Sequence, residues 1–307
     1  MSIDGIIVVS KPAGITSHDV ILKLRKWLKT KKIGHTGTLD PQVVGVLPLC
    51  IGRGTKLVEY LQEMPKTYIA EVTFGIATDT EDQTGEITAE ERDHQLDDRK
   101  VEKAILSFIG KYQQTPPMYS AVKIAGKKLY ELAREGKVID RPARTVEIYA
   151  IEIIAIDLER EFPVARFKVR CSKGTYIRTL CVDIGKRLQL PAHMSSLIRI
   201  ESAGYKIEQA HTLEEIEQAV YDHQVEKLIL PIDQALSCFP ELVVPDYMVA
   251  KILNGRPILP RFPLPEDLRK GERIRILSPE GKLLAIHTVL KEKGIWSKPD
   301  KILSKHE

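Results

Sequence analysis

The sequence predicts an α+β fold with a small β-rich domain at its C-terminal end, and three observations carry that prediction. Runs such as "KTYIAEVTFGIATDT" (66–80) and "VARFKVRC" (164–171) alternate apolar and polar residues in the period of half-buried strands. Between them, stretches with apolar residues at helical spacing are separated by glycine- and proline-rich turns. Beyond residue 235, two alternating strands flank a Ser-Pro-Glu-Gly turn, a hairpin signature.

Taken in order, Ser17 is positioned to cap a helix whose apolar face is Val20, Ile21, Leu24, Trp27 and Leu28, with Asp19 in its first turn. The run "GHTGTLDPQVVGVLPLCIG" (34–52) follows, with Asp40 and Pro41 between a glycine-rich loop and the apolar strand Val43 to Ile51. Two readings of Asp40 stand at this point: a turn initiator, since Asp-Pro commonly starts one, or a carboxylate held beside apolar surface for chemistry. In the next strand Tyr68, Ala70, Val72, Phe74 and Ile76 share one face, and Tyr68 opens it. Residues 97–110 predict a helix ending at Gly110, and residues 112–142 predict an exposed excursion with a short basic helix. Strands at 144–156 and 164–171 lead through Gly174 into a helix striped by Ile177, Leu180, Cys181, Ile184 and Leu188. Arg178 lies beside that stripe in the first turn, where the helix dipole disfavours a cation, so it calls for a carboxylate partner. An acidic helix near 212–229 precedes the boundary, which divides the chain into residues 1–235 and 236–307.

The 307 residues, 43% of them hydrophobic, suffice for a full core. No apolar stretch has bilayer length and the N-terminus has no signal-peptide pattern, so a cytoplasmic protein without a membrane partner is expected. Four scattered cysteines and eight histidines show no CxxC or HExxH spacing; reduced, buried thiols and no metal site are expected. Net charge is only +4, but residues 23–32 hold six Lys or Arg in ten, and 123–137 is basic as well. Acidic residues gather elsewhere, notably in "TDTEDQTGE". The basic stretches are either a one-sided phosphate-binding patch or solvated helix faces.

Four motifs, "SKPAGITSHDV", "GHTGTLDPQVVGVLPLCIG", "TPPMYSAVKIAGKKLYELAREG" and "SKGTYIRTL", stand in the order and spacing of the TruB family of tRNA pseudouridine synthases, which residues 5–205 resemble. The resemblance implies a mixed, largely antiparallel catalytic sheet with flanking helices, and a PUA-like RNA-binding domain after it. It implies isomerisation of the T-loop uridine at position 55 of tRNA without cofactor; a monomer working without guide RNA is expected, since no extra protein-contact surface shows in the sequence. By the same resemblance Asp40 is the catalytic carboxylate, Arg178 its ion-pair partner, and Tyr68 the ring that stacks on the uracil and assists proton removal. His35 fills the gap left by the extruded base, while Tyr176 and Leu197 enclose it. An Asp attacking the sugar, an Asp removing a ribose proton to give a glycal, and an Asp adding to the uracil ring all remain open.

Overall fold

The structure is a computed structural model, and it describes residues 3–303 apart from 94, 121, 125, 136–138, 261, 263–267 and 293. β1 (Gly5–Lys11) leads to α1 (Ser17–Trp27), β2 (Ile33–His35), β3 (Val44–Ile51), α2 (Val58–Glu63) and β4 (Lys66–Phe74). A hairpin of β5 (Ile76–Thr78) and β6 (Ile87–Glu90) follows, then α3 (Asp98–Leu106) and β7 (Gly110–Gln114). The excursion holds β8 (Lys123–Ile124), β9 (Lys127–Lys128) and α4 (Leu129–Arg134); its residues 121, 125 and 136–138 lie outside the described residues. Next come β10 (Arg144–Asp157), β11 (Val164–Cys171), α5 (Ile177–Arg187), β12 (Ala192–Ser202), β13 (Tyr205–Lys206) and α6 (Leu213–Tyr221). β14 (Glu241–Val243), α7 (Asp246–Leu253), β15 (Arg273–Leu277), β16 (Leu283–Glu292) and β17 (Ile295–Ile302) end the chain.

One sheet orders β1-β3-β12-β4-β11-β10-β7, with β2 beside β3 and β13 beside β12. All its pairings are antiparallel except β3 with β12, so the sheet is mixed and largely antiparallel as expected. The alternation in β4 buries Tyr68, Ala70, Val72 and Phe74, which meet Ile177, Leu180, Cys181 and Ile184 of α5 in the main core. A separate four-stranded sheet, β14-β15-β16-β17, forms the β-rich C-terminal unit, with the expected hairpin joining β15 and β16.

Four expectations change in detail. The cap of α1 is Thr16, not Ser17: Thr16 Oγ1 accepts from Asp19 N, and Asp19 Oδ2 accepts from Thr16 N. That frees Ser17 Oγ to bridge to Leu39, accepting from its N–H at 2.9 Å, which ties the helix to the Asp40 loop. The helix of 97–110 stops at Leu106, and Gly110, with φ of +108°, opens β7 instead. The basic run 23–32 is helical only to Trp27, since Lys29 turns to φ +48° beyond the helix end at Leu28. Cys50, Cys171 and Cys181 are buried free thiols as expected, whereas Cys238, on the stretch before β14, is an exposed free thiol and not a buried one.

Candidate active site

Asp40 lies on the loop between β2 and β3. A backbone bond from Val43 N to Asp40 O (3.1 Å) closes a turn there, so the turn reading is correct for the main chain. The carboxylate is left for something else. Its Oδ2 stands 3.1 Å from Nε of Arg178, whose side chain is 6% exposed while that of Asp40 is 43% exposed. The pair thus presents the acid to the outside and hides the base behind it.

The rest of the guanidinium is occupied too. Nη1 of Arg178 donates to Thr80 O at 2.9 Å and lies 3.6 Å from Asp82 Oδ2, and Nη2 donates to Tyr119 O at 2.8 Å. A planar donor set held on several sides fixes the one direction left for Asp40. Burial pushes the Asp40 carboxyl above its ordinary range; Arg178 opposes this, Asp82 adds to it, and Lys11 opposes it. The helix position that is poor for an arginine by dipole arguments is therefore offset by two carboxylates and two carbonyls.

Tyr68 on β4 is 8% exposed. Burial raises its phenol pKa, the Arg199 charge acts the other way, and Asp40 is among the charges it feels. Tyr176 precedes α5, its N–H donating to Gln114 Oε1 (2.8 Å) while Gln114 Nε2 donates to Tyr176 O (3.0 Å). Burial raises its phenol as well, and Arg178 and Asp40 are among its charged neighbours. Leu197 is half-buried on β12, opposite Ala70 of β4. The structure thus gathers Asp40, Arg178, Tyr68 and Tyr176 into one electrostatic neighbourhood. His35 ends β2 rather than lying on the loop, and its charged neighbours are Arg199 and His18. Burial, then Arg199, lowers its pKa, and Nδ1 accepts from Gly37 N at 3.3 Å, so the neutral ring carries its proton on Nε2.

Three charged residues at the site were not singled out from sequence. Lys11, with no exposed surface, donates from Nζ to Ile15 O (2.7 Å), Pro12 O and Pro41 O (both 2.9 Å), and burial lowers its pKa to about 8. It pins the peptide just past Asp40. Asp82 belongs to the acidic run read as lying away from the basic surface, yet it turns inward to Arg178; its neighbour Glu81 accepts from Thr179 Oγ1 at 2.6 Å. Arg199 is 1% exposed behind Tyr68, its cross-strand partner in the β12–β4 register. Among the described residues no three or more His, Cys, Asp or Glu cluster as metal ligands would.

Comparison with known proteins adds an independent line. Residues 25–177 match the family model described as TruB family pseudouridylate synthase (N terminal domain). Residues 178–237 match that of the tRNA pseudouridylate synthase B C-terminal domain. Proteins named tRNA pseudouridine synthase B from Bacillus pumilus (strain SAFR-032) and Bacillus subtilis (strain 168) are each 46% identical, with 98% of this chain and 98% of the relative covered. Among solved structures, a chain of a Cbf5-Nop10-Gar1 complex superposes with a TM-score of 0.77 at 28% identity, covering 98% of this chain and 85% of that one. A chain of an H/ACA RNP bound to a substrate RNA containing 2'-deoxyuridine gives 0.75 at 26% identity, with coverage of 98% and 85%.

Proposed function

The chain belongs to the TruB family of pseudouridylate synthases and acts on tRNA uridine, and from that premise we propose how its own residues convert the T-loop uridine at position 55. The observation that carries the reading is the 3.1 Å pair of Arg178 Nε with Asp40 Oδ2, in which only the acid is open to a substrate. Asp40 reacts as the carboxylate, bonding to the anomeric carbon as the N1 glycosidic bond breaks, taking the neighbouring ribose proton as that bond breaks to give a glycal, or adding to the uracil ring. The N1 glycosidic bond breaks, carbon 5 of the rotated uracil bonds to the anomeric carbon, the carbon 5 proton leaves to solvent and N1 takes one up, so the product is an isomer of the uridine and the carboxylate is regenerated. Arg178 favours its ionised form and fixes its direction.

Tyr68 and Tyr176 supply aromatic faces for the extruded uracil, and Leu197 closes the side between them. Both phenols, raised by burial, stay protonated at neutral pH. His35 enters the gap left in the T loop, where a neutral ring stacks without adding charge. The basic residues of 23–32 and of the excursion bind the tRNA backbone. The unit from about residue 236 is a PUA-like RNA-binding domain that adds affinity. The protein works in the cytoplasm as a monomer on the T-arm, without cofactor or guide RNA.

A non-catalytic RNA-binding protein would need the basic surface but not a carboxylate turned outward on a buried arginine. The deciding experiment is release of label from uracil carbon 5 of a tRNA transcript by the purified protein alone. Stoichiometric release with pseudouridine at position 55 is expected. Tight tRNA binding with no release would leave only the binding function, and release that requires an added guide RNA would place the protein with the H/ACA particles.

A further inference from the structure

Along the path β1-β3-β12-β4-β11-β10-β7 the large sheet has its narrowest pairing between β3 and β12. β3 and β12 run parallel and share just two register pairs, Ile198 with Val44 and Arg199 with Gly45. β2 occupies the far end of that same edge of β3, at Leu49 to Ile51, and limits the reach of β12. The neighbouring pairings, β1 with β3 and β12 with β4, run along whole strands.

The candidate site straddles this seam. Asp40 comes from the β2–β3 loop on one side, where Lys11 at the end of β1 fastens Pro41. Arg178 on α5, Tyr176 just before it, Tyr68 on β4 and Leu197 on β12 come from the other. How the two sides stand relative to one another therefore sets the distance between Asp40 and everything it works with.

Arg199 sits on the seam and spans it. From β12 its Nε donates to Val46 O of β3 at 2.7 Å, Nη2 to Gly37 O at 3.0 Å and Nη1 to Thr38 O at 3.3 Å. Two of those acceptors belong to the peptide run that leads into Asp40. The backbones meet as closely as they can at this point: Gly45 has φ of +111°, and a Cβ there would fall 2.2 Å from Arg199 O. Among the described residues no carboxylate lies within ion-pair distance of Arg199. A buried guanidinium without an acid is expensive, and a fully apolar strut would close the seam without that cost. What the guanidinium provides is a rigid fork addressing three carbonyls on two segments at once.

We infer that Arg199 is a positioning residue of the isomerisation: reaching across from β12, it fixes the stand of the Gly37–Asp40 loop against the half of the sheet that carries Arg178 and Tyr68. The inference rests on the reading of Asp40 as the reacting carboxylate.

Arg199→Met and Arg199→Lys, measured beside wild type and Asp40→Asn, test it by single-turnover pseudouridine formation at saturating tRNA, tRNA affinity, thermal melting and the pH profile of the rate. In Arg199→Met the rate should fall about a hundredfold, the scale of a reacting group misplaced by about 1 Å, while affinity stays within about threefold. Arg199→Lys keeps a cation there but cannot address all three carbonyls, so its rate should also fall, by less. The acid limb of the rate should move to higher pH in both. The charges facing Asp40 are Arg178 from α5, Asp82 from the loop after β5 and Lys11 from β1, and a loop that drifts from Arg178 loses its strongest support for the ionised acid.

A folded Arg199→Met with a rate within about threefold of wild type overturns the inference. So does a parallel loss of rate and affinity with an unmoved acid limb, which is the mark of a simple strut. Should Arg199→Met not fold, the same criteria apply to Arg199→Lys. An inactive Asp40→Asn beside fully active Arg199 variants would sink this inference alone, whereas an active Asp40→Asn would sink the carboxylate reading on which it stands.

Discussion

Two seams hold this molecule together, and they are made of opposite materials. The seam inside the large sheet is lined with buried cations, Lys11, Arg178 and Arg199, each met by several oxygens. The seam between that sheet and the C-terminal one is apolar: Ile6, Cys50, Leu57, Tyr60 and Leu61 pack against Leu277, Leu283, Ile286 and Leu303. A few polar ties cross it as well: Lys56 Nζ donates to Ile302 O at 2.8 Å, Lys301 pairs with Glu59, and Arg273 lies 4.9 Å over the ring of Tyr60. Apolar burial is strong but non-directional, whereas a hydrogen-bonded guanidinium fixes angle as well as distance. The difference teaches where geometry matters. On the proposed function, one seam holds the reacting acid to a fraction of an ångström, and the other need only keep an RNA-binding surface attached.

The change that breaks this contrast most directly is Asp40→Asn. It keeps the size of the side chain and the backbone turn from Val43, so folding and melting should be nearly unchanged. Turnover should fall by several orders of magnitude, because an amide neither attacks the sugar nor takes its proton, and tRNA affinity should survive. Pseudouridine formation and a binding assay on one transcript measure both. A rate near wild type would leave Asp40 as a turn residue and the polar seam without a purpose.

Arg178→Lys sharpens the same contrast with a smaller loss. One ammonium cannot serve Asp40, Thr80 O, Tyr119 O and Asp82 together, so the rate should fall roughly a hundredfold while affinity holds. The sign of the pH effect follows from the ionised acid being the active form. Burial raises the Asp40 carboxyl and Arg178 pulls it down, so a weaker partner should move the acid limb of the rate to higher pH. An unmoved limb would mean that Arg178 supplies shape and no charge.

How much of each seam could be read from sequence depended on whether a residue looked out of place. Asp40 interrupts the approach to an apolar strand, and Arg178 stands in the first helical turn beside an apolar stripe; each asked for a partner, and each is the other's. Tyr68, Tyr176, Leu197 and His35 look like ordinary core or loop residues, and only the family resemblance singled them out. Arg199 carries no such signal, because alternation in "LIRIES" reads as an outward-facing position, which holds for a sheet with one open face. β12 is a central strand in the large sheet, and there the alternate face is covered as well. Lys11 reads as the polar end of "GIIVVSK", and Asp82 as one acid in a solvated run. The apolar seam left no trace at all, since Leu57, Tyr60 and Leu61 have the pattern of any core residue, and sequence periodicity does not say which sheet covers them.

Leu283→Ala probes the apolar seam. Leu283 is 1% exposed, and its truncation should cost about 2–5 kcal/mol of stability, seen as a lower melting temperature. If this seam only attaches the C-terminal unit, KM for tRNA should rise and kcat at saturating tRNA should stay within about twofold. A fall in kcat at constant KM would carry the effect through Cys50 of β3 into the Asp40 loop, and the two seams would no longer be independent.

The smallest effect lies wholly on the C-terminal side. His287 on β16 has no exposed surface; its Nδ1 is 3.1 Å from Ser297 Oγ, and Nε2 has no partner among the described residues. Burial pushes its pKa from the usual 6.5 down to about 4. The folded ring is therefore neutral where the unfolded one already binds a proton, so stability is fully present above pH 6.5 and is lost as pH falls toward 4. The span corresponds to roughly 3 kcal/mol. Urea unfolding of wild type at pH 7.5 and pH 5 should show the loss, and His287→Leu should show less of it, the difference between the two cancelling every other titrating group. Turnover at pH 7.5 should be untouched, because no charge of the candidate site lies on β16. An identical pH slope in both proteins would mean that the buried ring finds a proton acceptor when charged, and that this sheet tolerates an internal cation as readily as the catalytic one does.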